Sequence, residues 1–178
     1  MQGDFKVELD FECDISHVKS GWGQGLVLIV ALDDPLATEM KICRLAIPKL
    51  GQYCQMEVSG QRIEKPTYKG KLTKINQGTL SIQRTGKIYK FLINCQAGKQ
   101  EISEYSGSSA NVRYVEIICT RQPGGNGDAK YVLKNLRLEA DSFLSFEGAS
   151  TSVFNWWTIL LTAQVLVAMV LVWRMTKA

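Results

Sequence analysis

The sequence predicts an all-β fold, an antiparallel sandwich or barrel, carrying one C-terminal transmembrane helix. Three observations lead there. Short segments of alternating polarity recur over residues 4–141, they are separated by Gly- and Asp-rich turns, and no helical periodicity of useful length precedes residue 153. The stretch Val153–Val172, VFNWWTILLTAQVLVAMVLV, then runs without a charged side chain. A helix rises about 1.5 Å per residue, so such a run matches a hydrocarbon core of about 30 Å.

Residues 4–12 open the chain with faultless alternation: Phe5, Val7, Leu9 and Phe11 on one face, Lys6, Glu8, Asp10 and Glu12 on the other. That is a half-buried strand. Ser20-Gly21-Trp22-Gly23-Gln24-Gly25 supplies turn chemistry, and the apolar run 26–32, closed by Asp33-Asp34-Pro35, suits a strand covered on both faces. Residues 41–48 and 53–58 are further candidate strands, while 59–70 is polar and reads as a connection. The clearest hairpin joins 78–84 to 87–95 through Thr85-Gly86, where glycine suits the positive φ of a tight turn. Residues 96–111 read as loop and 112–120 as strand. The turn Pro123-Gly124-Gly125-Asn126-Gly127-Asp128 leads into a last strand over about 129–141, with Leu136, Leu138 and Ala140 facing one way and Arg137 and Glu139 the other.

With 178 residues there is room for one soluble domain and one anchor. The boundaries expected are a sandwich over 1–145, a linker over 146–152, a span over 153–173 and a short basic tail over 174–178. The formal charge of +4 is spread without a Lys/Arg run longer than a pair, which argues against a nucleic-acid partner. Five cysteines without a C-x-x-C pair, and a single histidine, His17, argue against a zinc site and against a Ser-His-Asp or Cys-His catalytic arrangement. Cys95 and Cys119, near the ends of apolar runs, are expected to be buried thiols.

In the span, Trp156, Trp157 and Trp173 lie at the two ends, where indole rings settle at the headgroups. Gln164 falls near the midplane and suggests self-association or a partner helix. Arg174 and Lys177 place the tail in the cytoplasm by the positive-inside rule, and the domain outside. The opening MQGDFKVELDFECD contains no basic region followed by an apolar run, hence no signal peptide. Two explanations stay open: a fragment whose export signal lies upstream, or a tail-anchored protein whose domain remains cytosolic.

The segments 3–12 and 25–28, the hairpin Gly78-x-Leu80-x-Ile82-x-Arg84-x-Gly86-x-x-Tyr89 and the closing Val132-x-x-x-Leu136-x-Leu138 resemble concanavalin A-like (laminin G-type) domains, and more narrowly a planctomycete family of them. The resemblance implies a two-sheet jelly-roll sandwich and, for the superfamily at large, binding of carbohydrate or other extracellular ligands. Fold does not transfer a ligand, because function lies in the site.

Three groups of residues are candidates for chemistry. Glu8-x-Asp10-x-Glu12 resembles the acidic triad that glycoside hydrolases of this superfamily carry on one strand, and period two puts the three carboxylates on one face; retaining hydrolysis needs two carboxyl groups about 5–5.5 Å apart. The simpler expectation is a solvated strand face. Trp22, Arg84, Arg113 and Tyr114 are candidate ligand-binding residues. Asp33, Asp34 and Asp128 offer oxygens for Ca²⁺ but lack a spacing signature, so no metal or other cofactor is expected. The function expected is a membrane-anchored, non-catalytic binding module for a glycan or a protein partner near the bilayer; the alternatives are a glycan hydrolase using Glu8 and Glu12, and an assembly subunit of a membrane complex.

Overall fold

The computed structural model describes residues 1–15, 23–96, 98–120 and 129–143. Ten strands follow in order: β1 (Gln2–Asp14), β2 (Gln24–Leu32), β3 (Thr38–Ile47), β4 (Gly51–Gly60), β5 (Thr67–Leu72), β6 (Gln77–Thr85), β7 (Ile88–Cys95), β8 (Gly98–Ser106), β9 (Val112–Thr120) and β10 (Lys130–Ser142). They form two antiparallel five-stranded sheets. The first has the order β10-β1-β6-β7-β8 and the second β5-β4-β3-β2-β9.

The two sheets face each other through alternate residues, as period-two strands require. Phe5, Val7, Leu9 and Phe11 of β1, with Leu80 and Ile82 of β6 and Tyr89, Phe91 and Ile93 of β7, form the inner face of the first sheet. Leu26, Leu28, Val30 and Leu32 of β2, with Met40 and Ile42 of β3 and Cys54, Met56 and Val58 of β4, form that of the second. The β6–β7 hairpin turns at Gly86 with φ of 58°, a conformation that an L side chain rarely adopts.

Two strands escape the sequence pattern. Residues 67–72, which begin inside the expected connection 59–70, and 98–106, inside the expected loop 96–111, are β5 and β8, the edge strands that pair with β4 and β7. Edge strands draw their cohesion from backbone ladder bonds along one side, and their side chains can stay polar, so alternation of hydrophobicity is weak there. β8 also carries a register shift opposite Phe91/Leu92, which breaks its alternation.

β10 keeps the expected alternation, with its leucines only partly covered. Leu136 and Leu138 are opposite Leu9 and Val7 and share their core-facing side, yet they stay 46% and 42% exposed at the open edge of the sandwich. The thiols also differ from expectation. Cys13, Cys43 and Cys54 are the buried ones, whereas Cys95 is half-exposed and Cys119 exposed, because both fall at strand ends. Burial pushes the Cys54 thiol up to about 12 and that of Cys43 higher still, so neither is a thiolate at neutral pH.

All described residues lie within the unit Met1–Leu144. Trp22, His17 and Asp128 fall outside the described residues, as do Trp156, Trp157, Gln164, Trp173 and Arg174 of the expected anchor. Among the described residues no helix is long and apolar enough to cross a membrane.

Candidate functional site

The acidic face of β1 is organised by β10. Arg137 donates from both terminal nitrogens to Asp10, at 2.6 and 2.8 Å, and from Nε to Glu8 at 3.2 Å. Thr79 and Asn135 also donate to Asp10, at 2.7 and 3.1 Å. Lys6 lies 2.9 Å from Glu8 and Lys134 3.3 Å from Glu12. The hydrogen bond from Arg137 is the main cause that holds the Asp10 carboxyl far below the usual carboxylate range, against the opposing effect of burial.

A general acid needs a carboxyl raised toward neutrality, and Asp10 is shifted the other way. Glu8, Asp10 and Glu12 are each paired with a cation that ties β1 to β10, or that lies beside them on β1. This arrangement is a cross-strand ion ladder. Its pH dependence has a definite sign. A carboxylate with a depressed folded pKa contributes stability above its unfolded value, near about 3.9, and loses it as pH falls through the folded value. Urea melts at neutral pH and below pH 4 should therefore show an acid-linked loss in the wild type that is smaller in Arg137→Ala, which starts lower because the ladder is already broken.

Arg84, expected in a ligand groove, is only 2% exposed. Its side chain points into the core, where the guanidinium carbon lies 4.7 Å from the centre of the Phe5 ring. It donates to the carbonyls of Gly3 and Ala110, and to Tyr89 Oη at 3.5 Å. The phenol of Tyr89 in turn donates to Ser108 O at 2.5 Å. Arg84 therefore fastens the N-terminus and the 107–111 segment to the core, and no face is left for a ligand.

Asp34 is also engaged locally, its carboxylate accepting from Thr38 N at 2.9 Å and its carbonyl from Ala37 N at 2.9 Å. Among the described residues no group of three or more His, Cys, Asp or Glu is placed to hold a metal.

Arg113 and Tyr114 are brought together with residues of three other strands. Register pairs Tyr114 with Ala31, Ala31 with Glu39 and Glu39 with Ser59, so one row crosses β9, β2, β3 and β4 on the outer face of the second sheet. A register shift at Ala31/Leu32 inserts Arg113 beside this row. The row borders an open depression of about 210 Å³ lined by Glu39, Ser59, Gly60, Gln61, Arg113 and Tyr114 over a floor of Ala31, Leu32 and Ala37. Tyr114, 40% exposed, donates to Glu39 Oε1 at 2.9 Å. Lys41 holds the other oxygen of Glu39 at 2.9 Å and reaches Glu57 at 3.0 Å.

Burial alone would raise the Glu39 carboxyl, but the hydrogen bonds from Lys41 and Tyr114 outweigh it and lower the pKa. The hydrogen bond to Glu39 raises the Tyr114 phenol. The depression thus offers a fixed carboxylate, a guanidinium, an amide, a hydroxyl and an aromatic ring. Glu39, Ser59 and Gln61 carried no signal in the sequence, because only cross-strand register assembles them.

Solved structures similar to the chain include the following two. A legume lectin-like domain from Entamoeba histolytica matches with a TM-score of 0.56 at 14% identity, covering 80% of this chain and 74% of that one. A carbohydrate binding module, CBM66, from Bacillus subtilis gives a TM-score of 0.49 at 15% identity, covering 77% and 75%. No protein-family model matches the chain. No curated protein matches it either. At such identities the first likeness speaks to fold alone: the chain has a lectin-like β-sandwich fold.

Proposed function

We propose that this sandwich is a non-catalytic glycan-binding module, held at a membrane by the apolar stretch 153–173, with its domain on the outer side. The observation that carries the reading is the depression beside Tyr114. Its volume of about 210 Å³ is below the roughly 300 Å³ at which drug-sized sites begin, a scale suited to one sugar ring with the rest of a chain outside. The ring of Tyr114 gives a sugar an apolar face to stack on, and Glu39, Arg113, Gln61 and Ser59 supply donors and acceptors for hydroxyl groups. The lectin-like fold supports the same reading.

A glycan array probed with the full chain tests this, followed by titration of the strongest ligand. Tyr114→Ala should weaken binding by about tenfold or more, about 1.4 kcal/mol. Glu104→Gln, on the other sheet, should bind like the wild type. An array without a ligand would count against the proposal. So would a ligand indifferent to Tyr114.

A second reading, a docking subunit of a larger assembly, draws on the leucines at 133, 136 and 138 of β10, which remain exposed on the core-facing side of an edge strand.

A further inference from the structure

The charges of the sandwich are unevenly paired. On the β1–β10 side, cations and carboxylates neutralise each other within 2.6–3.3 Å, as Arg137 does with Asp10, Lys6 with Glu8 and Lys134 with Glu12. At the β5 edge of the second sheet, the segment 61–75 carries Arg62, Lys65, Lys69, Lys71 and Lys74 against the single carboxylate Glu64, a surplus equal to the formal charge of the whole chain. All five cations are exposed. Arg62, Lys65, Lys69 and Lys74 form no ion pair with a described carboxylate, and Lys71 spends one proton on the backbone carbonyl of Glu101 at 2.7 Å.

The same edge bears Leu72, Leu50 and Tyr68, exposed to 69%, 59% and 55%. Period two puts Tyr68 and Leu72 on the outer face of β5, and Lys69 and Lys71, opposite Met56 and Cys54, on its other face, so the two sets flank one edge strand. Leu72 is opposite Tyr53 and Tyr68 opposite Glu57, and a Cβ at Gly51, next to Leu50, would be 3.7 Å from Leu72 Cδ2. Large apolar side chains beside unpaired lysines fit neither a nucleic acid nor an acidic polysaccharide, which would leave the leucines in water. They fit a surface that is anionic outside and apolar beneath.

We propose that the β5 edge of the sandwich docks on an anionic lipid surface, with Leu50, Tyr68 and Leu72 entering the headgroup layer and Arg62, Lys65, Lys69, Lys71 and Lys74 meeting lipid phosphates and carboxylates. This contact belongs to the folded domain and is separate from any anchoring by residues 153–173. It orients the module rather than tethering it.

Hydrogen exchange on the full chain reads this edge directly, whatever else the chain does at the vesicle. With vesicles of phosphatidylcholine and phosphatidylserine, amides of residues 62–74 should exchange at least about tenfold more slowly than with phosphatidylcholine alone. The protection should disappear at about 1 M salt, where the Debye length is about 3 Å. Lys65→Glu with Lys69→Glu and Lys74→Glu should abolish it, and Leu72→Ser should weaken it, while amides of β7 exchange as in the wild type. Equal exchange on the two vesicle types would overturn the proposal. Equal protection by soluble dextran sulfate in the absence of lipid would also overturn it, since that would mark a polyanion site.

Discussion

Arg84→Ala is expected to destabilise the sandwich by about 3–5 kcal/mol, a large part of the roughly 5–15 kcal/mol that keeps a domain folded. The substitution strands the carbonyls of Gly3 and Ala110, which Arg84 now satisfies, at about 1–3 kcal/mol for each buried acceptor left without a partner. It also removes the cation from the face of Phe5, worth about 1 kcal/mol, and opens a cavity beside Tyr89. Urea or thermal melts of the purified variant check this. Arg84→Lys should recover only part of the loss, because one ammonium cannot span the two carbonyls that the guanidinium fork reaches. A variant as stable as the wild type would show that Arg84 is dispensable to the core.

Arg44 on β3 is the second such residue, fully buried and without a carboxylate partner among its hydrogen bonds. Its Nε donates to Ile75 O at 2.5 Å, and its terminal nitrogens donate to Leu45 O at 2.9 Å, to Asn76 Oδ1 at 3.2 Å and to the side chain of Gln52. Burial lowers its pKa from the ordinary arginine value, but a guanidinium starts so high that it stays charged. Arg44→Met relieves the burial of a charge and orphans these acceptors, so the two effects oppose each other. The orphaned groups come from β3, β4 and the β5–β6 connection, and their loss is expected to win, at about 2–4 kcal/mol in an equilibrium melt. Stabilisation by Arg44→Met would instead mean that the desolvation of the charge dominates.

These two arginines show where the sequence stops being informative. Alternation in β1, β6 and β7 is legible because Phe5, Val7, Leu9, Leu80, Ile82, Tyr89 and Phe91 all repeat with period two toward one core. The same parity puts Arg84 beside Ile82 and Arg44 beside Ile42, but an arginine on a strand reads as a surface residue unless the acceptors that receive it are known. Those acceptors, Ala110 O and Ile75 O among them, lie 26 and 31 residues away. β5 and β8 were not legible for a related reason: their side chains are mostly polar, and pairing with β4 and β7 through the backbone makes them strands.

The candidate site was half legible. Arg113 and Tyr114 stand out as an exposed cation and ring on a strand, whereas Glu39 lies ahead of the stretch whose alternation marks β3. Ser59 and Gln61 look like connection. Only the ladder of β9, β2, β3 and β4 makes them neighbours. The acidic triad shows the converse: Glu8, Asp10 and Glu12 share a face as period two requires, and their chemistry was decided by Lys6 beside them and by Lys134 and Arg137 on β10, more than 120 residues away.

The most direct test of the glycan-binding site is an amide chemical-shift map of the full chain with the strongest glycan from an array. The predicted result is a set of perturbations confined to Glu39, Ser59, Gln61, Arg113, Tyr114 and their immediate neighbours, saturating with the binding isotherm and absent in Tyr114→Ala. Perturbations centred on Glu8, Asp10 and Glu12, or a ligand that shifts no residue of the β9-β2-β3-β4 row, would contradict it.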